Sequence, residues 1–461
     1  MTDAVEFSDL PLDPALLQGL DAMGHVRMTP VQARGLPVLL AGHDLIAQAP
    51  TGSGKTVAFG LGLLPRLDLS QLRVQALVLC PTRELADQVA KQVRKLATGL
   101  ANLKLLTLTG GVALGPQLAS LAAHAPHVVV GTPGRVQELL RKKALDLRGV
   151  RVLVLDEGDR LLDMGFEEPI KEIVKATPRE RQTVLLSATF PEKVRAIART
   201  SMREPVEVTV EGAADAAPIT QRFFEVDPER KPAALAGLLI DQGAGGAVVF
   251  CNMRRDTEEV VASLTHLGFS ALALHGDMEQ RDREEVLVRF ANRSCSVLVA
   301  SDVAARGLDI EELGAVVNYD VPHDADTYTH RIGRTGRAGR EGVALSLCTP
   351  RELPRLKTLG DTLGMPIDLQ RPPLAALKPN VGVRAGMATL RIDGGRTDKL
   401  RPGDIVGALT GDAGLKGDAV GKIDVFATRS YVAVAASQAD RALAKLQAGK
   451  IKARKFRVRK L

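Results

Sequence analysis

Tryptophan is absent, and aromatic side chains make up only 3% of the 461 residues. Broad base-stacking platforms, such as single-strand binders build, are therefore not expected. Cysteine is scarce as well: Cys80, Cys251, Cys295 and Cys348 stand far apart and form no CxxC pair. Three of them close apolar runs (LVLC, VVFC, LSLC), where a cysteine behaves as a small buried hydrophobe. A disulfide framework or thiolate metal site is not expected from that pattern, and the expected compartment is a reducing one, the cytoplasm. The chain also lacks the run of about 18 apolar residues that a membrane-spanning helix needs. Its first ten residues carry acids and no apolar core, so no signal peptide is expected and no membrane partner.

Glutamate is missing from residues 382–461, which hold 17 Lys/Arg against 7 Asp and so carry +10, leaving −3 for the rest of a chain whose total is +7. A basic unit therefore rides on a near-neutral body, the charge distribution of a polyanion-binding module.

What is present in quantity is short, continuous apolar runs alternating with amphipathic stretches. Such runs lie at 76–80, 127–131, 152–155 and 183–186, and again at 247–251, 271–274, 296–300 and 315–319. Strands that are apolar on both faces belong to parallel sheets covered by helices on each side. The small residues 211–220 read as a linker, and the prolines at Pro372, Pro373 and Pro379 mark a second break across 368–386. The expected architecture is two α/β units, 1–210 and 219–367, each a parallel-sheet domain, and a small α+β unit at 385–461. Within that last unit, strand patterns at 387–392, 421–426, 431–435 and 456–459 flank helical stretches at 401–409 and 439–446, a split βαββαβ order.

Chemistry concentrates at a few points. Ala49-Pro50-Thr51-Gly52-Ser53-Gly54-Lys55-Thr56 follows an apolar stretch and precedes a helical one. Its glycines let backbone N–H groups converge on phosphate oxygens at a helix N-terminus. Lys55 brings a point charge to the β/γ-phosphates, and the Thr56 hydroxyl is placed to ligate Mg²⁺. About 100 residues on, the run 152–155 ends in Asp156-Glu157. Asp156 suits a magnesium ligand and Glu157 the group that orients and deprotonates an attacking water. Upstream, the Gln32 amide donates and accepts together, which matches the N6/N7 edge of adenine.

Residues 24–32 (GHVRMTPVQ), with Phe7 seventeen positions before Gly24, resemble the adenine-sensing segment of the DEAD-box RNA helicases. The resemblance continues in order along both α/β units. Pro81-Thr82-Arg83-Glu84-Leu85, Gly110-Gly111 and Thr132-Pro133-Gly134-Arg135 are similar to that family's first-domain RNA contacts, and Ser187-Ala188-Thr189 to its coupling motif. Residues 248–252, 280–283, 301–309 (SDVAARGLD) and 330–337 (HRIGRTGR) complete the series. The resemblance implies two RecA-like domains that close on one ATP with Mg²⁺. It implies adenine contacts from Phe7, His25 and Gln32, phosphate contacts from Ala49, Thr51, Gly52, Ser53, Gly54, Lys55 and Thr56, and ribose contact from Asp309. Arg334 and Arg337 would reach the γ-phosphate, an arginine-finger role worth about 10³–10⁵ in rate. Asp159, Ser187, Thr189 and His330 would couple the ATP and RNA sites. Arg83, Gly111, Thr132, Arg135, Gly276, Ser301 and Asp302 would hold RNA through its backbone, with little base preference. The chain departs from the family pattern at Gly158, where Ala is usual in the tetrad, and at His25, where a larger aromatic is usual.

In the tail, Ile392-Asp393-Gly394-Gly395, residues 399–404 (KLRPGD), 407–411 (GALTG) and 421–423 (GKI) resemble the RNA-binding domain of the DbpA subfamily, a variant of the RNA-recognition motif. That likeness implies attachment to large-subunit ribosomal RNA, with pre-ribosomal particles as the setting and a monomeric enzyme. Only Tyr431 stands near a base-stacking position, so basic side chains are the expected RNA contacts: Arg391, Arg396, Lys399, Lys422, Arg429, Lys452, Arg454, Lys455, Arg457 and Arg459. Two uses of the core stay open, strand separation and an ATP-locked clamp on RNA; a DNA translocase is disfavoured by the details at 24–32 and 330–337.

Overall fold

The computed structural model describes residues 6–50, 52–210, 219–243, 246–305, 313–336, 341–375, 378, 381–412 and 414–461. Thr51, Asp309 and Arg337, all expected at the nucleotide, lie outside the described residues. The chain divides into two compact units, one built on the first sheet and the other on the second and third.

The first sheet has seven strands: β1 (Leu45–Gln48), β2 (Ala76–Leu79), β3 (Leu105–Leu108), β4 (Val128–Gly131), β5 (Val152–Leu155), β6 (Gln182–Ser187) and β7 (Val206–Thr209). They run in the order β3-β4-β2-β5-β6-β1-β7, all parallel. The continuous apolar runs are explained by their two-sided burial. Ala76, Val78, Val152 and Val154 feed one core, while Leu77, Leu79, Leu153 and Leu155 feed the other. Each fully buried Leu or Val of this kind stabilises the fold by about 1.5–3 kcal/mol.

The second sheet repeats the plan with β8 (Ile219–Glu225), β9 (Ala247–Cys251), β10 (Ala271–Leu274), β11 (Val297–Ser301), β12 (Ala315–Asn318), β13 (Gly342–Cys348) and β14 (Leu369–Gln370), in the order β10-β11-β9-β12-β13-β8-β14, again parallel. Ile219 and Thr220, expected in a linker, instead start β8 in register with Gly342 and Val343 of β13. Described residues of the expected break at 368–386 also pack against the second sheet's unit. Leu369 and Gln370 add an edge strand. Ala375 then donates to the Ala233 carbonyl at 3.0 Å and Gly382 to the Leu267 carbonyl at 2.9 Å. Two glycines permit this close course. A Cβ on Gly237 would stand 2.1 Å from the Pro373 oxygen, and one on Gly382 2.5 Å from the Phe269 nitrogen.

The third sheet is antiparallel: β15 (Met387–Ile392), β16 (Val420–Val425), β17 (Ser430–Ala435) and β18 (Val458–Lys460), in the order β16-β17-β15-β18. With helices at Pro402–Gly407 and Ala439–Ala448 it has the βαββαβ order. Leu390, Ile392, Val432 and Val434 face those helices in one core. Residues alternating with them point to the other face, which open recognition motifs leave for bases. Here that face is covered: Thr389, Arg391, Tyr431 and Ala433 are each at most 5% exposed. The cover comes from the second α/β domain, where Ser294 bonds Thr389 at 2.6 Å, Asn292 donates to it at 3.3 Å and Glu285 pairs with Arg391 at 3.2 Å. Among the described residues no helix is long and apolar enough to cross a membrane.

Candidate nucleotide and RNA site

In open parallel sheets ligands gather beyond the carboxyl ends of the strands, and most of the described site residues expected in the first unit follow strand ends there. The strand order divides them. β5, β6 and β1 lead to the tetrad, the Ser187–Thr189 segment and the phosphate loop; β3, β4 and β2 lead to Gly110-Gly111, Thr132–Arg135 and Arg83. The residues expected at the nucleotide and those expected at RNA therefore fall on the two halves of one edge.

The phosphate loop needs its glycines. Gly52 and Gly54 have φ of +86° and +89°, a region that side chains disfavour. A Cβ on Gly54 would also stand 2.4 Å from the Gln32 amide nitrogen. Gln32 is 2% exposed and serves as a buttress: its oxygen accepts from the Thr29 N–H at 2.8 Å and its NH₂ donates to the Gly54 carbonyl at 3.0 Å. The Thr29 hydroxyl adds a 2.7 Å bond to the Ser53 carbonyl. Phe7 is 3% exposed and belongs to the first core, while His25 stands half-buried next to Val26, whose carbonyl accepts from Phe7 N–H at 3.4 Å.

Lys55 is folded into the loop, donating to the Ala49 carbonyl at 2.5 Å and the Pro50 carbonyl at 3.2 Å. The Ser53 hydroxyl is buried with no hydrogen-bond partner, as a group awaiting a ligand oxygen would be. Burial and the neighbouring Glu157 push the Asp156 carboxyl up to about 7, against the pull of Lys55. A carboxylate in that setting favours a cation. Among the described residues no group of three or more His, Cys, Asp or Glu could hold a metal alone. Glu157 takes a left-handed backbone (φ +51°), and its N–H donates to the Asp156 carboxylate at 3.0 Å.

The coupling residues of this unit are brought together. Asp159 N–H donates to the Ser187 hydroxyl at 3.0 Å, and the Asp159 carboxylate accepts from both Thr189 N–H and Thr189 Oγ1 at 2.9 Å. The end of β6 is thus tied to the acidic tetrad through charge-assisted bonds.

On the other half of the edge, Gly111 (φ +68°) lies under the Arg83 guanidinium, so close that any Cβ there would collide with it. Thr132 caps the helix Pro133–Arg141, and its hydroxyl accepts from Gly110 N–H at 3.4 Å. Arg135 is 9% exposed, with its guanidinium on Gln117 (2.8 Å), the Val112 carbonyl (3.0 Å) and Glu138 (3.1 Å). It shapes the 110–112 loop from beneath.

In the second sheet the same edge collects exposed Gly276 after β10, Ser301 and Asp302 at the end of β11, and Asn252 at the end of β9. His330 lies in the helix Ala325–Ile332 and Arg334 just beyond its end. Arg331, between them, was not among the expected site residues. It is 2% exposed and bonds Asp302, Asn252, Asn318 and the Asp320 carbonyl. Its signal in sequence was only its place inside the HRIGRTGR run.

In the third sheet, exposed Lys399, Lys452, Arg454, Lys455 and Arg457 fall on two adjoining loops, joined where Lys452 donates to the Lys399 carbonyl at 2.8 Å. Lys452 also lies 3.6 Å from Asp404, so its ammonium holds the loops together. Lys422 is not with them: it sits on β16, the opposite edge strand, 3.8 Å from Asp424.

Residues 29–197 match the DEAD/DEAH box helicase family, 230–339 the helicase conserved C-terminal domain and 389–460 the DbpA RNA binding domain. The chain is 50% identical over 450 residues to the ATP-dependent RNA helicase DbpA of Escherichia coli (strain K12), covering 98% of each. It is 42% identical over 363 residues to the DEAD-box ATP-dependent RNA helicase CshA of Bacillus cereus (strain ATCC 10987 / NRS 248), covering 78% of this chain and 69% of that one. Among solved structures, S. cerevisiae Dbp5 bound to RNA and ADP BeF3 superposes with a TM-score of 0.72 at 31% identity, covering 79% of this chain and 95% of that one. The chain is a DEAD-box ATP-dependent RNA helicase and belongs to its DbpA subfamily. It couples ATP to work on RNA and carries a C-terminal RNA-binding domain.

Proposed function

We propose that this helicase remodels large-subunit ribosomal RNA during ribosome assembly, as a cytoplasmic monomer held to its target by the basic loops at 396–401 and 450–457. The observation that carries the reading is the covered sheet face. With Thr389, Arg391 and Tyr431 buried, recognition falls to the exposed loops, whose charges suit a folded RNA better than a row of splayed bases. Pre-ribosomal particles are the expected setting.

In the proposed cycle, ATP enters the phosphate loop and Lys55 exchanges the carbonyls of Ala49 and Pro50 for phosphate oxygens. The Gln32 amide turns from Gly54 toward the adenine edge. Thr56 and Asp156 would hold Mg²⁺, whose charge would offset that of the phosphates. Glu157 takes the proton of the attacking water. Arg334 and Arg337 come to the γ-phosphate as the two α/β units close, and Asp309 meets the ribose. Hydrolysis is felt at RNA through Asp159, Ser187, Thr189 and His330.

The test is ATPase of the full chain against a panel of RNAs that includes fragments of large-subunit ribosomal RNA. A few fragments should stimulate far more strongly than unrelated RNA of equal length. The triple change Arg454→Gln, Lys455→Gln, Arg457→Gln should erase that preference while saturating generic RNA still stimulates. Glu157→Gln should bind ATP and RNA yet turn over nothing. Equal stimulation by every RNA would overturn the ribosomal reading, and normal hydrolysis by Glu157→Gln the catalytic one.

A further inference from the structure

An arginine has five N–H donors in a planar fork, and burial requires that all five be met. Arg331 meets all five. Nε donates to Asp302 Oδ1 at 2.6 Å, and one terminal nitrogen donates to Asp302 Oδ2 at 2.7 Å and to Asn252 Oδ1 at 2.8 Å. The other donates to the Asp320 carbonyl at 2.9 Å and to Asn318 Oδ1 at 3.2 Å. The guanidinium carbon lies 5.2 Å from the Phe250 ring centroid, a cation–π contact on a ring of β9.

These partners come from three strand ends: Phe250 and Asn252 from β9, Asp302 from β11, Asn318 and Asp320 from β12. The arginine itself comes from the helix Ala325–Ile332, and its carbonyl accepts from Arg334 N–H at 3.2 Å. Three of the segments so tied belong to the proposed site. Asn252 closes the 248–252 match, Asp302 follows Ser301, and Arg331 stands between His330 and Arg334.

We infer that Arg331 is a positioning residue that fastens the RNA-facing and nucleotide-facing segments of the second α/β domain into one edge, with Asp302 as its anchor and not an RNA contact. The inference rests on the proposed assignment of that edge to RNA and ATP. Both oxygens of Asp302 are already spent on Arg331, and a carboxylate has no donor to offer a phosphate. A bidentate fork fixes direction as well as distance, which a lysine ammonium cannot do. The clamp thereby transmits a change of spacing at Ser301 to Arg334 without an intervening loop.

Two variants of the full chain test this, Arg331→Lys, which keeps the charge and loses the fork, and Asp302→Asn, which is isosteric. ATPase is measured against the concentration of a generic single-stranded RNA, and nucleotide affinity without RNA serves as control, since the phosphate loop belongs to the other unit. The KM for RNA should rise about tenfold or more in both, with a lower kcat. A merely structural loss shrinks the active fraction, which lowers kcat and leaves the KM for RNA where it was. Because both changes open the same clamp, the double variant should be no more than about threefold worse than Arg331→Lys alone. An unchanged KM for RNA in either folded variant overturns the inference. So does an Asp302→Asn effect that multiplies in full on top of Arg331→Lys, which would make Asp302 a direct RNA ligand. Should Arg331→Lys fail to fold, Asp302→Asn decides alone through its KM. A wild-type enzyme indifferent to RNA would instead undo the functional reading.

Discussion

Removing the Arg391 side chain should loosen the C-terminal domain from the second α/β domain without unfolding either. Arg391 is 6% exposed in its side chain and lies 3.2 Å from Glu285, itself 23% exposed. At an effective dielectric constant of about 20, two unit charges at that separation attract by about 5 kcal/mol. Desolvating the guanidinium offsets more than half of this, which leaves about 2 kcal/mol for the pair. Arg391 also pairs with Asp393 at 2.9 Å inside the C-terminal domain, but Asp393 keeps Arg459 at 3.4 Å after the change, so most of the loss falls on the contact between domains. Two kcal/mol is roughly a thirtyfold shift in the docking equilibrium.

Hydrogen exchange reads that shift directly. In Arg391→Ala the segments 285–296 and 387–392 should exchange about thirtyfold faster, while the helices of the C-terminal core keep their protection. Glu285→Ala should do the same, and the double variant should add little, a coupling of about 2 kcal/mol. Strictly additive effects, or exchange unchanged at 285–296, would refute the claim that this pair holds the docked face.

Two further outcomes are expected. Thr189→Val deletes the 2.9 Å hydroxyl bond to Asp159 and keeps the backbone one. A bond to a charged group is worth about 1.5–3 kcal/mol, so RNA stimulation of ATPase should fall by an order of magnitude or more while ATP affinity without RNA holds. Burial alone would raise the Asp393 carboxyl, but the bonds and charges of Arg391 and Arg459 outweigh it and hold it below the usual aspartate value of 3.8. A depressed carboxylate contributes stability above the unfolded value and loses it as pH falls through the folded one. The contribution of Asp393 to the folding of the C-terminal domain should therefore be constant near neutrality and be lost only below pH 3.8, measurable by its acid unfolding.

Much of the architecture was legible because parallel sheets impose a simple rule. Strands buried on both faces must be apolar throughout, and the runs at 76–80, 152–155, 247–251 and 315–319 match strands to within a residue. The phosphate loop and the acidic tetrad were legible because phosphate and metal chemistry allow few residue types at few spacings. Other features depend on what converges in space. Arg331 reads as one more helix arginine until three strand ends are known to meet around it. Arg391 reads as one more basic RNA contact, and only the packed domain reveals it as buried against Glu285. The 368–386 connector looks like a break because of its prolines. Gly237 in the helix Lys231–Gln242 and Gly382 in the connector are what let it run close to that helix and to the end of the helix Arg254–His266.

Gly158, the departure within the acidic tetrad, has a physical explanation in the packing around it. A Cβ there would stand 2.8 Å from Leu185 Cδ1 and 3.7 Å from Val194 Cγ1, so Leu185 occupies the space that an alanine methyl would take. Leu185 lies on β6, two residues before Ser187, whose hydroxyl receives the Asp159 N–H. Gly158→Ala gains about 0.5–1 kcal/mol of helix propensity but overpacks a core site, at a cost of about 1–3 kcal/mol. Net destabilisation of about 1 kcal/mol should follow, with weaker RNA stimulation if the strain travels along β6. Leu185→Val should be destabilising alone yet should partly rescue Gly158→Ala, because the pair shares one volume. Thermal unfolding of the two single variants and the double variant decides the matter. Additive losses would show that the glycine and the leucine are unrelated, and that the missing methyl weakens the tetrad instead of matching its surroundings.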